Sequence, residues 1–260
     1  MTSIVIIPAR YDSTRFPGKP LSLLRGKTLI QHVYDNSKGA QLINDIIVAT
    51  DSEMIFEKVL SFGGKVVMTD GRHNSGTDRI AEVAESMDCD IVVNVQADEP
   101  LIRPEMIDDV ISLLDDKRAS IGTLVKRITD PNEISDPNVV KVVFDKDGFA
   151  LYFSRSPIPY LIDEWGSLYD LIKIKNTHDS SLVTRHSWFK HIGIYSYRRE
   201  ALLSFSKMEQ TELEIKERLE QLRALENGMK IKVKETFYET IGVDTPEDLE
   251  RVERCLNISL

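Results

Sequence analysis

Three cationic side chains lie close together near the start of the sequence, in the stretch IIPARYDSTRFPGKP (6–20). Arg10, Arg15 and Lys19 follow directly on an apolar run, and Gly18 lets the backbone turn tightly beside Lys19. Such a loop could surround a triphosphate with positive charge. The stretch fits neither the P-loop template nor the G-x-G-x-x-G dinucleotide pattern. A solvated basic loop without a ligand is the alternative.

Carboxylates that could hold a divalent cation occur in two distant segments. Asp98 and Glu99 lie in VNVQADEPLI (93–102), at the carboxyl end of a predicted strand. Mg²⁺ prefers carboxylate and phosphate oxygens and usually keeps several waters. Asp244 stands one place before the N-cap of a predicted helix, so it is available as a second metal ligand. A turn or helix-capping role is the alternative for the first two acids.

A third group offers the polar atoms that a polyhydroxylated acid would need. Arginine can pair with a carboxylate, and the other four side chain types can hydrogen-bond to hydroxyl groups. The group comprises Arg155, His191, Tyr195, Glu220 and Gln221. A structural core role is the alternative for His191. Ser75, at a predicted helix start, could contact a base or phosphate, or simply cap that helix. The spacings of His178, His186 and His191 match no zinc template.

Alternating strands and helices must position these residues. Short apolar runs predict buried strands at 4–7, 46–50, 65–69 and 91–96. Between them, amphipathic patterns predict helices at 28–43, 52–64 and 77–87. This succession predicts a three-layer α/β fold with a mostly parallel central sheet. Such sheets bind ligands beyond the carboxyl ends of their strands, where the cationic loop and Asp98 would both lie.

The pattern changes after residue 120. Runs at 138–144 and 149–153 flank a glycine turn and predict a hairpin that belongs either to a mixed sheet or to a small additional sheet. The segment 160–188 has no regular period and is expected to be a loop or insertion. One helix is predicted over 211–228, opened by a capping box, and another begins at Thr245. The chain is expected to form a single domain over 1–260.

Composition excludes several classes of protein. The chain has 260 residues and a formal net charge of -9, which disfavours binding to nucleic acid or an anionic membrane surface. Two cysteines outside any CxxC pattern indicate neither a disulfide framework nor a zinc site. Neither a signal peptide nor a run of roughly 20 apolar residues is recognisable. A cytoplasmic location is therefore expected.

Seven motifs have the order and approximate spacing seen in one enzyme family: IPARYDSTRFPGKPL, HNSGTDRIAEV, VNVQADEPLI, ALYFSR, HIGIYSYR, LEQLRALENG and GVDTPEDLERV. They span nearly the whole chain and are far more specific together than singly. The sequence therefore resembles the 3-deoxy-manno-octulosonate (Kdo) cytidylyltransferases, or CMP-Kdo synthetases. The resemblance implies a nucleotide-diphospho-sugar transferase fold, Mg²⁺ dependence, a homodimer, and activation of Kdo for lipopolysaccharide synthesis.

The resemblance also assigns roles to residues of this chain. The CTP-binding loop falls on Ala9, Arg10, Ser13 and Lys19, and base recognition falls on Ser75 and Gln96. Arg15 is a further predicted nucleotide contact because of its place in the cationic loop, not because of the resemblance. The metal carboxylates fall on Asp98 and Asp244. The sugar-acid pocket falls on Arg155, His191, Tyr195, Glu220 and Gln221. Lys19, Arg10 and Asp98 are expected to be catalytic, and residues 120–200 to contribute the pocket and the dimer region.

Two departures from the family pattern bear on specificity. Ala97 replaces a glycine that the family usually has, which reduces backbone freedom near the nucleotide. The segment 160–188 is longer than the family norm, which leaves an 8-amino analogue of Kdo or another 2-keto-3-deoxy sugar acid open as the substrate. A nucleotide-binding protein without catalysis and an oxidoreductase are alternatives of a different class, the latter disfavoured because G-x-G-x-x-G is absent.

Overall fold

The computed structural model describes residues 1–12, 16–162 and 188–258. The strands are β1 (Ser3–Ala9), β2 (Leu23–Leu24), β3 (Lys27–Thr28), β4 (Asp45–Thr50), β5 (Val66–Met68), β6 (Ile91–Asn94), β7 (Ile121–Arg127), β8 (Lys141–Phe144), β9 (Ala150–Ser154), β10 (Phe189–Arg198) and β11 (Ile231–Glu235). The helices are α1 (Leu29–Ser37), α2 (Glu53–Ser61), α3 (Gly76–Glu85), α4 (Pro104–Ser112), α5 (Asn132–Ser135), α6 (Arg199–Phe205), α7 (Glu212–Glu217), α8 (Gln221–Glu226) and α9 (Pro246–Ile258).

Within the described residues, nine strands form one sheet whose main path runs β11-β7-β10-β6-β1-β4-β5. β1 pairs in parallel with both β4 and β6, and β10 is antiparallel to its neighbours β6 and β7. The hairpin of β8 and β9 joins the sheet through a pairing of β8 with β10. β2 and β3 form a separate two-stranded sheet. The predicted α/β class with a mostly parallel sheet is confirmed.

Apolar side chains of β1 point alternately into two hydrophobic cores. Val5 and Ile7 pack in a core with residues of α1 and α4, whereas Ile4 and Ile6 pack in a second core with residues of α3 and α6. Successive side chains of a strand face opposite sides of the sheet, so helices on both sides keep β1 buried along its whole length. The predicted three-layer arrangement is confirmed.

Two predictions for the first half of the chain need correction. The run at 65–69 forms an edge strand, β5, in which Val67 and Met68 are exposed rather than buried. The helix predicted over 28–43 ends at Ser37. Beyond it, the backbone N–H groups of Gln41 and Leu42 donate to the carboxylate of Asp108 on α4, at 2.9 and 2.8 Å, instead of to helical carbonyl groups.

The single helix predicted over 211–228 is also wrong, because the structure divides this segment into α7 and α8. Arg218 adopts the left-handed conformation, with φ of 53°, and ends α7. Arg155 stabilises the break by donating from Nε to the carbonyl oxygen of Glu217 at 2.7 Å. Ile215, on α7, is 60% exposed.

The hairpin and the last helix follow the predictions. β8 and β9 are antiparallel, and Gly148 in their turn has φ of 78°, which glycine adopts without strain. At the start of α9, the hydroxyl oxygen of Thr245 accepts a hydrogen bond from the backbone N–H of Asp248 at 3.3 Å. No helix in the described ranges combines the length and the apolar character needed to cross a bilayer.

Candidate active site

The cationic loop lies at the carboxyl edge of the parallel strands. Arg10 directly follows β1, and Lys19 opens a short 3₁₀ helix, Lys19–Leu21, after Gly18. Gly18 has φ of 70°, and a Cβ atom there would lie 3.2 Å from the ring of Tyr11. The backbone conformation therefore favours glycine, and a larger residue would also have to displace the ring of Tyr11. Ser13 and Arg15 lie outside the described residues.

Lys19 brings the two predicted metal carboxylates together. Its Nζ donates to Asp98 Oδ2 at 2.6 Å and to Asp244 Oδ1 at 3.1 Å. The two acids, distant in the sequence, thus meet at one ammonium group. Both carboxylates raise the pKa of Lys19, against the opposing effect of burial, which is the largest single influence on it. Lys19 is therefore held in its charged form.

Backbone contacts explain how Asp244 reaches this edge of the sheet. Asp98 follows β6, and its carbonyl oxygen accepts a hydrogen bond from the backbone N–H of Val243 at 2.9 Å. The next residue, Asp244, donates its N–H to Asp248 Oδ2 at 3.1 Å, beside the N-cap of α9. The start of α9 is thus fixed against the end of β6, and the carboxylate of Asp244 is directed to Lys19.

A cavity of about 400 Å³ adjoins this cluster. Five of the predicted nucleotide and metal residues line it: Ala9, Arg10, Lys19, Gln96 and Asp98. Gln96 is oriented by a hydrogen bond from its Nε2 to Asn94 Oδ1 at 2.9 Å. Ala97 also lines the cavity and is not among the residues with positive φ, so its backbone conformation does not require the glycine that the family usually has.

The two carboxylates fit a divalent cation in their chemistry and their convergence. Oxygen ligands from one or two acids, completed by water and phosphate oxygens, are the usual environment of Mg²⁺ in nucleotide enzymes. In the described part of the chain, no group of three or more His, Cys, Asp or Glu residues forms a metal site. Asp98 and Asp244 would therefore depend on a bound phosphate and on water to complete the coordination.

Glu99, next to Asp98, has an unusual environment. Burial, together with the charge of Asp98, raises its pKa to about 7. Its Oε2 atom is buried and has no hydrogen-bond partner among the described residues. The edge of the site therefore contains a further carboxyl group, that of Glu99, which is largely protonated at mildly acidic pH.

Two predicted sugar-acid residues, His191 and Tyr195, lie on β10. His191 Nε2 and Thr123 Oγ1 are 2.9 Å apart, and the Thr123 hydroxyl donates to the carbonyl oxygen of Ile194 at 2.7 Å. With the Thr123 hydroxyl proton directed to Ile194, Thr123 Oγ1 is available to accept a hydrogen bond from an Nε2–H of His191. Burial lowers the pKa of His191 to about 3 and raises that of Tyr195, so both are neutral at physiological pH.

Glu220 and Ser75 meet although the sequence places them far apart. Ser75 caps α3, accepting a hydrogen bond from the N–H of Asp78 at 3.1 Å, and its proximity acts to lower the pKa of Glu220. Both residues line a second cavity of about 950 Å³. Gln221, which follows Glu220 in the sequence, is the first residue of α8 and is buried. The structure therefore joins one predicted base contact to one predicted sugar-acid contact.

Arg155, predicted for the sugar-acid pocket, contacts backbone carbonyl oxygens instead of facing either cavity. Its guanidinium donates to the carbonyl oxygens of Glu217 at 2.7 Å, Pro137 at 2.7 Å and Arg218 at 3.4 Å. It lines neither of the two cavities described above. To bind a substrate carboxylate, its guanidinium would have to exchange at least one of these carbonyl contacts.

The sequence analysis missed the contacts of three further polar residues of the site. Arg79 on α3 is buried, lines the first cavity and donates to Asp51 Oδ2 at 2.6 Å, just beyond β4. Thr77 and Arg223 both contact Glu220. The motifs SGTDR and LEQLR contain all three, but a polar residue on a predicted helix gives no indication of which distant side chain it contacts.

Comparison with known proteins identifies the family. A family model described as cytidylyltransferase matches residues 4–231. A protein of Geobacter metallireducens named 3-deoxy-manno-octulosonate cytidylyltransferase is 52% identical over 99% of this chain and 98% of its own length. A protein of the same name from Thermodesulfovibrio yellowstonii is 50% identical over 99% of each chain.

Solved structures agree with this result. A CMP:2-keto-3-deoxy-manno-octonic acid synthetase complexed with CTP has a TM-score of 0.87 and 38% identity, with 100% of both chains covered. A cytidylyltransferase from Leptospira borgpetersenii has a TM-score of 0.62 at 16% identity, covering 100% of this chain and 88% of its own, and it supports the fold alone. The chain therefore belongs to the cytidylyltransferase family and, within it, to the 3-deoxy-manno-octulosonate cytidylyltransferases, or CMP-Kdo synthetases.

Proposed function

We propose that this chain transfers CMP from CTP to the anomeric 2-hydroxyl of Kdo, giving CMP-Kdo and pyrophosphate. The observation that carries the proposal is the meeting of Lys19, Asp98 and Asp244 beside a cavity at the carboxyl edge of the sheet. The relatives named for this enzyme and the similar synthetase complexed with CTP support the choice of both substrates.

The protein contributes positioning and charge rather than covalent chemistry. In nucleotidyl transfer the attacking hydroxyl approaches the α-phosphorus in line with the departing pyrophosphate, and catalysis comes mainly from alignment and electrostatic stabilisation. Lys19 and Arg10, with Arg15, would neutralise the triphosphate and the departing pyrophosphate. Ala9 and Ser13 would contribute to the same loop, and Gln96 and Ser75 would bind the base.

Asp98 and Asp244 would hold Mg²⁺, which supplies charge neutralisation at the phosphate oxygens and a lower pKa for the attacking hydroxyl. Their convergence on one ammonium group supports this assignment, because the same two oxygens that accept hydrogen bonds from Lys19 can coordinate a metal ion. Lys19 would then exchange its carboxylate contacts for phosphate oxygens. No dedicated general base is required by this arrangement.

The sugar acid would be held mainly by neutral hydrogen-bonding groups. His191 and Tyr195 are uncharged, so they suit hydroxyl groups of the sugar rather than its carboxylate. Glu220 and Gln221 would add acceptors and donors beside the second cavity. Arg155 is the predicted partner of the sugar carboxylate, provided that its guanidinium releases one of its carbonyl contacts.

A pyrophosphate-release assay tests the proposal directly. The chain is incubated with CTP, Mg²⁺ and Kdo, and parallel reactions omit the sugar acid or contain excess EDTA. We expect release only in the complete reaction, and 8-amino-Kdo in place of Kdo tests the choice of sugar acid. No release with any 2-keto-3-deoxy acid would refute the proposed function. A homodimer, a cytoplasmic location and a role in lipopolysaccharide synthesis stay predictions, the first of them testable by light scattering.

A further inference from the structure

The carboxylate of Glu220 is held by hydrogen bonds from the first turn of α3. Thr77, the second residue of that helix, donates from Oγ1 to Glu220 Oε2 at 2.5 Å. The side chain of Ser75, the N-cap of the same helix, lies near enough to Glu220 to act on its pKa. Thr77 itself is buried. The helix that carries the predicted base contact therefore also fixes a residue of the predicted sugar-acid pocket.

Arg223 holds the other oxygen of the same carboxylate. Its Nη2 lies 3.4 Å from Glu220 Oε1, while Nε and Nη2 donate to the buried carboxylate of Glu214 at 2.8 and 2.7 Å. The guanidinium also stacks on the ring of Phe205, 4.7 Å from its centre. A bidentate pair restricts the orientation of arginine, so Arg223 presents a fixed donor to Glu220.

Glu220 depends on these partners because most of its side chain is withdrawn from water, with 31% of it exposed. Burial raises the pKa of Glu220, and the contacts with Thr77, Arg223 and Ser75 act in the opposite direction. A buried carboxylate is costly unless each oxygen has a donor. Thr77 serves Oε2 and Arg223 serves Oε1, which leaves the remaining lone pairs of the carboxylate for a ligand in the cavity of about 950 Å³ that Glu220 and Arg223 line.

We propose that Thr77 is a positioning residue that aims the carboxylate of Glu220 at the sugar acid and links the sugar-acid pocket to the nucleotide-binding start of α3. This inference rests on the proposed function, because it takes Glu220 as a contact of the sugar acid. Any movement of α3 that accompanies nucleotide binding is transmitted to Glu220 through Thr77. The two substrates should consequently bind with positive coupling, which is reciprocal for binding equilibria.

The first test removes the Thr77 hydroxyl while keeping the shape of the side chain. In Thr77→Val, we expect the KM for Kdo to rise about tenfold, the equivalent of about 1.4 kcal/mol. The kcat should stay within about twofold, because the interaction is made equally in the ground state and the transition state. Thr77→Ser retains the hydroxyl and should restore the KM of the unaltered chain.

The matched control is Thr28→Val. Thr28 is buried, and its Oγ1 has no hydrogen-bond partner among the described residues, so valine removes a hydroxyl without breaking a contact. We expect unchanged kinetics for this variant. If Thr77→Val does not fold, as judged by circular dichroism, Thr77→Ala removes the same hydroxyl without adding a methyl group, and it should raise the KM for Kdo likewise.

Coupling between the substrates provides a second readout. For the unaltered chain, the apparent KM for Kdo should fall as CTP approaches saturation, and this fall should be weaker in Thr77→Val. Kinetics of Thr77→Val identical to those of Thr28→Val would overturn the inference and leave the proposed function intact. An unaltered chain that releases no pyrophosphate from CTP and Kdo would overturn the proposed function, and the inference with it.

Discussion

Replacing Lys19 by methionine tests whether its ammonium group holds Asp98 and Asp244 together when no metal ion is bound. Methionine keeps most of the length and apolar volume of the lysine side chain but removes its charge and its three donors. The two carboxylates, which both face Lys19 Nζ, would then face each other without a cation. We expect the variant to fold and to be less stable than the unaltered chain.

The size of the loss follows from the exposure of each partner. The side chains of Lys19 and Asp98 are 13% and 28% exposed, so their hydrogen bond between charged groups contributes about 1.5–3 kcal/mol. The side chain of Asp244 is 48% exposed, so its ion pair contributes roughly 0.2–1 kcal/mol. Desolvation of Lys19 offsets part of this gain. A net loss of about 2 kcal/mol lowers the Tm by about 4–8 °C in a domain of this size.

The assay is thermal unfolding followed by circular dichroism, first in EDTA and then in excess Mg²⁺. The matched control is Lys65→Met, since Lys65 also contacts a carboxylate, that of Asp45, but is 65% exposed. We expect the control to lose less stability than Lys19→Met, because solvent screens an exposed ion pair. Mg²⁺ should raise the Tm of Lys19→Met more than that of the unaltered chain, because in the variant the ion replaces a missing cation rather than competing with one.

Two results would refute this reasoning. If Lys19→Met in EDTA is as stable as Lys65→Met, the ammonium group does not hold the two acids together. If Mg²⁺ raises the Tm of Lys19→Met and of the double variant Lys19→Met/Asp244→Asn equally, the two carboxylates do not share a metal ion. The double variant also separates specific binding from a general effect of salt, because both chains experience the same ionic strength.

Three further predictions concern the same edge of the sheet and the sugar-acid pocket. Asp98→Asn should lose at least about 10²-fold in turnover, because it removes a principal electrostatic contact to the transition state. The control is Asp147→Asn, in the exposed turn between β8 and β9. Near-normal turnover of Asp98→Asn would show that Asp98 is not part of the metal site. Arg155→Ala should weaken Kdo binding and leave CTP binding nearly intact in titration calorimetry, whereas equal losses for both ligands would show that the arginine acts through the folding of 217–218 instead. Glu99→Gln should become more stable relative to the unaltered chain, by up to about 3 kcal/mol, as the pH rises from 5 to 8 in urea titrations. The sign follows from the raised pKa of about 7: the folded state keeps a proton that the unfolded chain releases near pH 4.5, so the unaltered chain loses stability across this window. Stability curves for the two chains that stay parallel over this pH range would contradict the last prediction.

The central strands could be predicted from the sequence because their local pattern and their position in the fold agree. Residues 4–7 are apolar without interruption, which is typical of a strand covered on both faces, and β1 is such a strand. The run at 65–69 has the same local pattern but forms the edge strand β5, with Met68 exposed. The sequence of a short apolar run does not show whether its strand will have neighbouring strands on both sides or on one. The burial of β5 could therefore not be predicted.

The break between α7 and α8 could not be predicted for a different physical reason. The local sequence 211–228 favours one continuous helix, and nothing within it resembles a helix end at Arg218. The break is stabilised from outside, by the contacts of Arg155 with the carbonyl oxygens of Glu217 and Arg218. Arg155 and Glu217 are 62 residues apart along the chain. Local helix propensity carries no information about a contact over that distance.

The edge of the site could be predicted because parallel strands impose it. Once β1 and β6 are adjacent and parallel, Arg10 and Asp98 must lie at the same edge of the sheet. Asp244 could be selected because the start of the following helix is capped by Thr245, which leaves the acid outside the cap. The contact of Thr77 with Glu220 joins residues 143 apart, one at the start of α3 and one just before α8, and no local pattern contains it.

Charge balance at Lys19 links the metal-free structure to the proposed reaction. One ammonium group faces two carboxylates, so this cluster retains one negative charge, and an approaching triphosphate would be repelled by it. A divalent cation held by Asp98 and Asp244 would reverse the sign of the cluster, and it would free Lys19 to donate to phosphate oxygens. Metal and nucleotide should therefore each strengthen the binding of the other, because each removes the repulsion that the other would meet alone.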